Sequence, residues 1–244
     1  MKKIIVLLSL FSTLSMADTV LGGEINLGFY THSPKGTLEY QGNSIDIIDT
    51  LNWETSSDIV ASLYFEHPIP MLPNLKLGYS SLDNEGKERL SQEISFAGQH
   101  FSANTEVTSG LALKITDTTL YYELADNWIS IDFGLTAKYL DGSAYVESSV
   151  TKERKSFTAI IPLVYSKLRF EIPTTDIAFQ MEGNYVAYEN TIVYDIEAGI
   201  RYTVMLGAGV EIGYKQIKLK IDDIKGFNMD SDFSGLYGKL VWDF

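Results

Sequence analysis

From Asp18 onward the apolar residues of this chain recur with period two, the pattern of a strand with two unlike faces. Leu21, Ile25, Leu27 and Phe29 share one face, with Glu24, Asn26 and Tyr30 on the other. Ile129, Ile131, Phe133, Leu135, Ala137 and Tyr139 oppose Ser130, Asp132, Thr136 and Lys138. Ile177, Phe179, Met181 and Tyr185 oppose Gln180, Glu182 and Asn184, and Leu206, Ala208, Val210, Ile212 and Tyr214 oppose Gly207, Glu211 and Lys215. Strands are predicted near 20–31, 56–66, 74–82, 111–124, 128–140, 157–172, 176–187, 191–202, 206–220 and 232–244. Many exceed the five or six residues usual in soluble sheets and suit the roughly 9–11 needed to cross a bilayer as a tilted strand. The alternation slips at Thr116–Thr119, around Ser166 and after Tyr214, which reads as β-bulges that reset the facing.

The links alternate as well. Residues 32–55, 83–110, 141–156 and 221–231 are long or polar, whereas 67–73, 125–127, 173–175 and 203–205 are short; only 188–190 is short on the long side. Long connections at one end and short turns at the other are the pattern of an outer-membrane barrel, with external loops and periplasmic turns. Hydrocarbon offers no hydrogen-bond partners, so a sheet crosses it only by closing on itself. The expected fold is therefore all-β, a closed antiparallel transmembrane barrel of about ten strands with both termini in the periplasm. Eight strands are the fallback if 111–124 or 191–202 is misassigned. In the last segment Leu236, Gly238, Leu240, Trp242 and Phe244 share a face, and this ending resembles the C-terminal signal read by the outer-membrane assembly machinery.

Ahead of the first strand, Lys2 and Lys3 precede an apolar run from Ile4 to Leu14 and then Ser15-Met16-Ala17. That run is too short to span a bilayer as a helix, so residues 1–17 read as a cleaved secretory signal and 18–244 as one barrel domain.

Composition narrows the chemistry. The 244 residues hold 32 Asp and Glu against 19 Lys and Arg, a net charge of −13, with three His and no Cys. Disulfides, thiolate metal sites and cysteine nucleophiles are excluded, and the acidic balance argues against nucleic acid as a partner. The charges on strands fall in the inward frame: Glu24, Glu66, Asp132, Glu182, Asp195, Glu197, Glu211 and Asp243 against Lys76, Lys114, Lys138, Arg201, Lys215 and Lys239. Unpaired charge in a confined space is costly, so these groups are expected to form an ion-paired network that fills a narrow lumen. Tyr121, Tyr122, Trp128, Tyr139, Tyr185, Tyr202 and Trp242 lie near strand ends, as in the aromatic girdles of membrane barrels.

The first predicted periplasmic turn has an unusual proline-rich wording, Glu66-His67-Pro68-Ile69-Pro70-Met71-Leu72-Pro73-Asn74. Leu120-Tyr121-Tyr122-Glu123-Leu124-Ala125-Asp126-Asn127-Trp128, Asp132-Phe133-Gly134-Leu135 and Tyr139-Leu140-Asp141-Gly142 follow. Together these resemble a family of small outer-membrane β-barrel proteins of Gram-negative bacteria. The resemblance implies location and fold and no activity. Pro68, Pro70 and Pro73 cannot donate to a ladder, which makes the segment a stiff turn.

Candidate chemistry is sparse. A rim enzyme of the omptin protease type would draw on His32 or His100 with Asp46, Asp49, Asp83 or Asp141, and a lipid A-modifying enzyme on His100 with Ser95 or Ser102. The acids and amides from Asp222 to Asp232 have alternating oxygens but lack the glycine and terminal glutamate of a calcium loop. No catalytic residue, metal or cofactor is assigned. Segments 44–51 and 94–107 carry apolar positions in otherwise polar loops and are expected to form a turn or strand and a hairpin above the membrane. The expected function is structural or interactional, by a monomer in contact with outer-membrane lipid and lipopolysaccharide and with the assembly machinery. A narrow cation-preferring channel and a rim enzyme are the alternatives.

Overall fold

The computed structural model describes residues 21–69, 71–224 and 226–244. The signal segment 1–17 and Pro70 lie outside the described residues. Ten long strands make the wall: β1 (Gly22–Tyr40), β3 (Ser56–Glu66), β4 (Asn74–Arg89), β7 (Glu106–Asp126), β8 (Ile129–Ser148), β9 (Lys152–Glu171), β10 (Ile177–Tyr188), β11 (Thr191–Met205), β12 (Ala208–Ile224) and β13 (Phe227–Asp243). The short β2 (Ile45–Asp46) lies beside β1, and β5 (Ile94–Phe96) pairs with β6 (Gln99–Phe101) as a separate hairpin. Each wall strand pairs antiparallel with the next, and β1 closes on β13 from Glu24↔Asp243 to Tyr40↔Phe227. The molecule is a closed ten-stranded antiparallel β-barrel of the transmembrane type.

The strands are longer than the alternation predicts, mostly at the end away from the termini. Residues 32–40, 83–89, 106–110, 141–148, 152–156 and 227–231, expected as loop, continue the wall. The reason is an exchange of solvents along each strand. Next to the terminal end, outward residues are apolar (Leu27, Phe29, Leu120, Phe133, Leu240) and inward ones polar (Asn26, Thr119, Asp132, Lys239). Farther on the faces swap: Leu38, Leu111, Leu113, Leu140, Phe157, Leu219 and Phe233 point inward and are buried, while Thr37, Ala112, Asp141, Ser156, Lys220 and Asp232 point outward. The outer wall meets lipid over one half and water over the other, so the interior must be polar in the first and apolar in the second.

This exchange corrects the bulges. The ladders run without interruption through Thr116–Thr119, Ser166 and the stretch after Tyr214, and side chains keep strict alternation. Only the phase of hydrophobicity moves by one residue there. Irregularities in register occur instead between Glu123 and Ala125, Thr203 and Met205, and Ile221 and Ile224, all beside turns. The β11–β12 turn is correspondingly at Leu206-Gly207 and not at 203–205.

Loops fill the far mouth. The chain after β1 makes β2 and a tight turn in which Asp46 Oδ1 accepts the Ile48 and Asp49 amides at 2.8 and 2.7 Å. Ile45, Ile47, Leu51 and Trp53 are buried from this segment, and Leu90, Ile94, Phe96 and Phe101 from the one that carries the β5–β6 hairpin. They form one core with the inward residues of the far half. Backbone bonds pin the two segments together, Ala97 N donating to Tyr40 O at 2.8 Å and Gly98 N to Gln41 O at 3.1 Å.

Candidate functional site: a charged lumen beneath an apolar plug

Below that core the inward side chains form a layered ion network. The layer nearest the terminal end centres on Arg201, which is 0% exposed. Its guanidinium forks onto Glu24, Nη1 to Oε2 at 2.8 Å and Nη2 to Oε1 at 2.7 Å; Nε donates to Glu211 Oε2 at 3.1 Å and Nη1 to Asp243 Oδ1 at 3.3 Å. The planar fork suits this bidentate task, for which a lysine amine has no equivalent. Tyr237 donates to Glu211 Oε1 at 2.7 Å. Its ring reaches that position by lying across Gly199 and Gly213, register partners where an added Cβ would come within 2.2 and 2.7 Å of Tyr237 atoms.

The next layer pairs Lys215 with Glu197 at 3.0 Å, Lys239 also with Glu197, and Lys76 with Glu182. Lys138 reaches Asp117 at 2.7 Å and Asp195 at 2.8 Å. Asn184 donates to Asp195 Oδ1 at 3.0 Å and accepts from Thr136 at 2.5 Å. To one side stand Tyr64, Tyr121 and Tyr165, rings 6.3 and 5.8 Å apart in sequence, with Lys167 4.1 Å over the Tyr64 ring. A cavity of about 30 Å³ between Ser62, Lys76, Ser80, Asp117, Glu197 and Lys239 is room for about one water.

Thus Glu24, Lys76, Lys138, Glu182, Asp195, Glu197, Arg201, Glu211 and Lys215 meet in one network. Asp132 lies inward opposite Lys167, and Glu66 accepts the Tyr121 hydroxyl at 3.1 Å. Two expectations are corrected. Lys114 faces outward and is exposed, and Tyr121 is buried in the lumen rather than in a girdle. Asp117, Glu123, Lys167 and Arg169 also face inward, which the alternation did not reveal. The other girdle residues, Tyr122, Trp128, Tyr139, Tyr185, Tyr202 and Trp242, are exposed on the outer wall.

In the proline-rich turn His67 holds both ends: its Nε2 bonds Pro73 O at 3.1 Å and its amide donates to Asn74 Oδ1 at 3.2 Å. Pro68 follows it at the turn's entry. At the C-terminus Leu240 and Trp242 face outward, and Phe244 makes paired 2.9 Å backbone bonds with Gly23.

Of the candidate enzymatic groups only His32 and Asp83 are brought together, through Asp58. His32 is 0% exposed, just beyond the lipid-facing band, against the Tyr30 ring at 4.9 Å and the Phe233 ring at 5.8 Å. Its Nε2 bonds Asp58 Oδ2 at 2.9 Å, and the same oxygen accepts the Asp83 amide at 3.0 Å. Burial pushes the imidazole below its ordinary range, opposed by the bond to Asp58. The clamp closes a gap in the wall, because the β3–β4 ladder stops at Val60↔Ser80 and pairing resumes only at Trp53↔Gly86. His100 bonds Glu93 at 3.0 Å, and Ser95 bonds Asn43 at 2.8 Å instead of His100. Asp230 and Asp232 pair with Lys218, and Asp222 accepts from Asn190. Among the described residues no three His, Cys, Asp or Glu side chains are arranged to hold a metal ion.

No family model and no curated protein matches the chain. Among solved structures it is similar to the outer membrane protease OmpT from Escherichia coli, with a TM-score of 0.59 and 11% identity over 94% of this chain and 98% of that one. The barrel is also similar to the translocator domain of the autotransporter NalP from Neisseria meningitidis, at TM-score 0.47 and 11% identity, covering 100% of this chain and 95% of that one. The likeness to OmpT shows the fold, an outer-membrane β-barrel.

Proposed function

We propose that this chain is a plugged barrel of the Gram-negative outer membrane, with both termini in the periplasm and the capped far end as a contact surface outside the cell. The resemblance carried by the proline-rich turn supports the same location. The observation that carries the reading is the apolar core of the far half. Leu38, Leu111, Leu113, Leu140, Phe157, Leu219 and Phe233 from the wall meet Ile47, Leu51, Phe96 and Phe101 from the loops in one apolar cluster. An ion leaving the charged lumen would have to cross this layer poorly solvated, a cost that favours a closed barrel over a conduit. Over the plug the loops expose Gln41, Asn43, Ser44, Gln92, Glu93, Gln99 and His100, a polar surface on a rigid support.

Single-channel recording in a planar bilayer tests the reading. Refolded protein, shown to be folded by its heat-modifiable gel shift, is expected to be silent at both about 0.1 and 1 M salt, where the screening length is about 10 and 3 Å. Reproducible cation-selective steps from the wild type would favour a narrow conduit instead. Phe96→Asp, which hydrates the plug, is the companion variant and is expected to raise the frequency of conducting events.

A further inference from the structure

Two turns at the terminal end share an unusual build. Met71 in the β3–β4 turn has φ 70° and Leu206 in the β11–β12 turn has φ 53°, both in the left-handed region. The other described non-glycine residues there are Gln41, Asn52, Ala97, Asn104, Thr174, Glu189 and Asp223, all polar or small. Glycine or asparagine is the ordinary occupant, above all ahead of Gly207 in a two-residue hairpin turn. Yet the side chains gain nothing from the protein, since Met71 is 91% and Leu206 86% exposed. Ile69, Leu72, Val204 and Met205 beside them are exposed as well.

Both turn carbonyls are taken by rings of the lipid-facing wall. Tyr122 Oη donates to Met71 O at 2.9 Å, and Trp242 Nε1 donates to Leu206 O at 3.3 Å. The turns therefore lie against the outer, lipid side of the wall and continue its apolar belt past the last aromatic ring. They flank the β13–β1 closure, with Leu21 and Phe244 exposed between them. The β9–β10 turn on the opposite side reads Pro173-Thr174-Thr175-Asp176, with polar Thr174 in the left-handed position at φ 68°.

We propose that the Met71 and Leu206 turns are lipid anchors that enter the headgroup zone of the phospholipid leaflet at the terminal end and pin the β13–β1 side of the barrel there. Continuity with the apolar belt and the ring donors choose lipid over a protein partner, whose groove would have to reach around the wall into the bilayer.

The chain has no cysteine, so single-cysteine spin labels are unambiguous. Met71→Cys, Leu206→Cys and Thr174→Cys are labelled and refolded into dilauroyl phosphatidylcholine vesicles, and collision rates with oxygen and with a water-soluble nickel chelate are compared. The expected result is an oxygen-to-nickel ratio several-fold higher at 71 and 206 than at 174. Low ratios at 71 and 206, matching that of a label free in water, would place the turns in water, and equally high ratios at all three would remove the one-sided anchoring; either result overturns the proposal. A label-free check is Met71→Gly with Leu206→Gly, which suits the left-handed backbone and keeps the fold. It is expected to slow folding into the same vesicles at least about threefold, and an unchanged rate refutes the proposal.

Discussion

Replacing Arg201 by leucine removes the hub of the inner layer without leaving a large void. Three carboxylates lose a partner: Glu24 loses its fork, Glu211 its Nε bond and Asp243 its contact at 3.3 Å. Removing one member of a buried ion pair costs about 3–5 kcal/mol, because the partner's charge stays buried. Some compensation remains. Lys167 and Arg169 lie 3.9 and 3.8 Å from Glu24 Oε2, and Tyr237 and Lys239 stay on Glu211. The lower end, about 3 kcal/mol, is therefore expected, roughly a hundredfold in the folding equilibrium. Urea titration by tryptophan fluorescence in phospholipid vesicles, with the gel shift as control, measures it. Adding Glu24→Gln and Glu211→Gln to Arg201→Leu removes the two more deeply buried of the three stranded charges and is expected to recover more than half of the loss. A loss below about 1 kcal/mol in the single variant, or a further loss in the triple variant, would refute the network as a cooperative unit.

Three further expectations follow from named contacts. The buried His32 faces Asp58 and Asp83 and two rings; its folded value is lowered, so below the ordinary 6.5 the unfolded chain binds a proton more readily than the folded chain. Stability is thus full above that value and falls as pH drops beneath it, a slope below about pH 6.5 that His32→Gln should flatten in urea titrations. Gly213→Ala would put a Cβ 2.2 Å from Ala198 O and 2.7 Å from Tyr237 Cζ; a loss of about 1–3 kcal/mol is expected, and a neutral result would show that Tyr237 moves freely. Phe244→Ala is expected to lower the amount of assembled barrel in cells while the purified variant still refolds in vesicles; equal assembly would remove the C-terminal ring as a signal.

Strand number and direction, the common end of the termini and most lumen acids were readable because in the lipid half one face is apolar and the other polar. The far half was not, since the same alternation there carries the opposite meaning. Reading the crossover near Thr116–Thr119 as a bulge flipped the expected facing of β7, which put Lys114 inside and hid Asp117. The same error around Ser166 concealed Lys167. The true irregularities sit beside turns, where polar residues carry no phase. For the plug a signal did exist: Ile45, Ile47, Leu51 and Trp53, then Ile94, Phe96 and Phe101, are too apolar for solvated loops. What they pack against depends on inward residues dozens of positions away, which no local pattern supplies.

The crossover also separates what holds each half together. In the far half, wall and loops bury a continuous apolar core as a soluble domain does, so stability there scales with apolar area removed from water. In the lipid half the outer face gains little from burial against other side chains. Closure there comes from the ladder, whose backbone groups have no alternative partner in hydrocarbon, and from ion pairs that let a narrow charged interior exist. Tyr30 stands at the boundary: its hydroxyl donates to Phe233 O at 2.7 Å, while its ring belongs to the apolar core. His32 stands two residues farther on, sealing through Asp58 the one place where β3 and β4 part. A lesion in the plug should therefore admit water and ions while the lumen network survives, whereas a lesion at Arg201 should weaken the barrel without opening it. Conductance and urea midpoint thus report on different halves of the same strands, and a variant that moves both would mean that the two halves share one cooperative core.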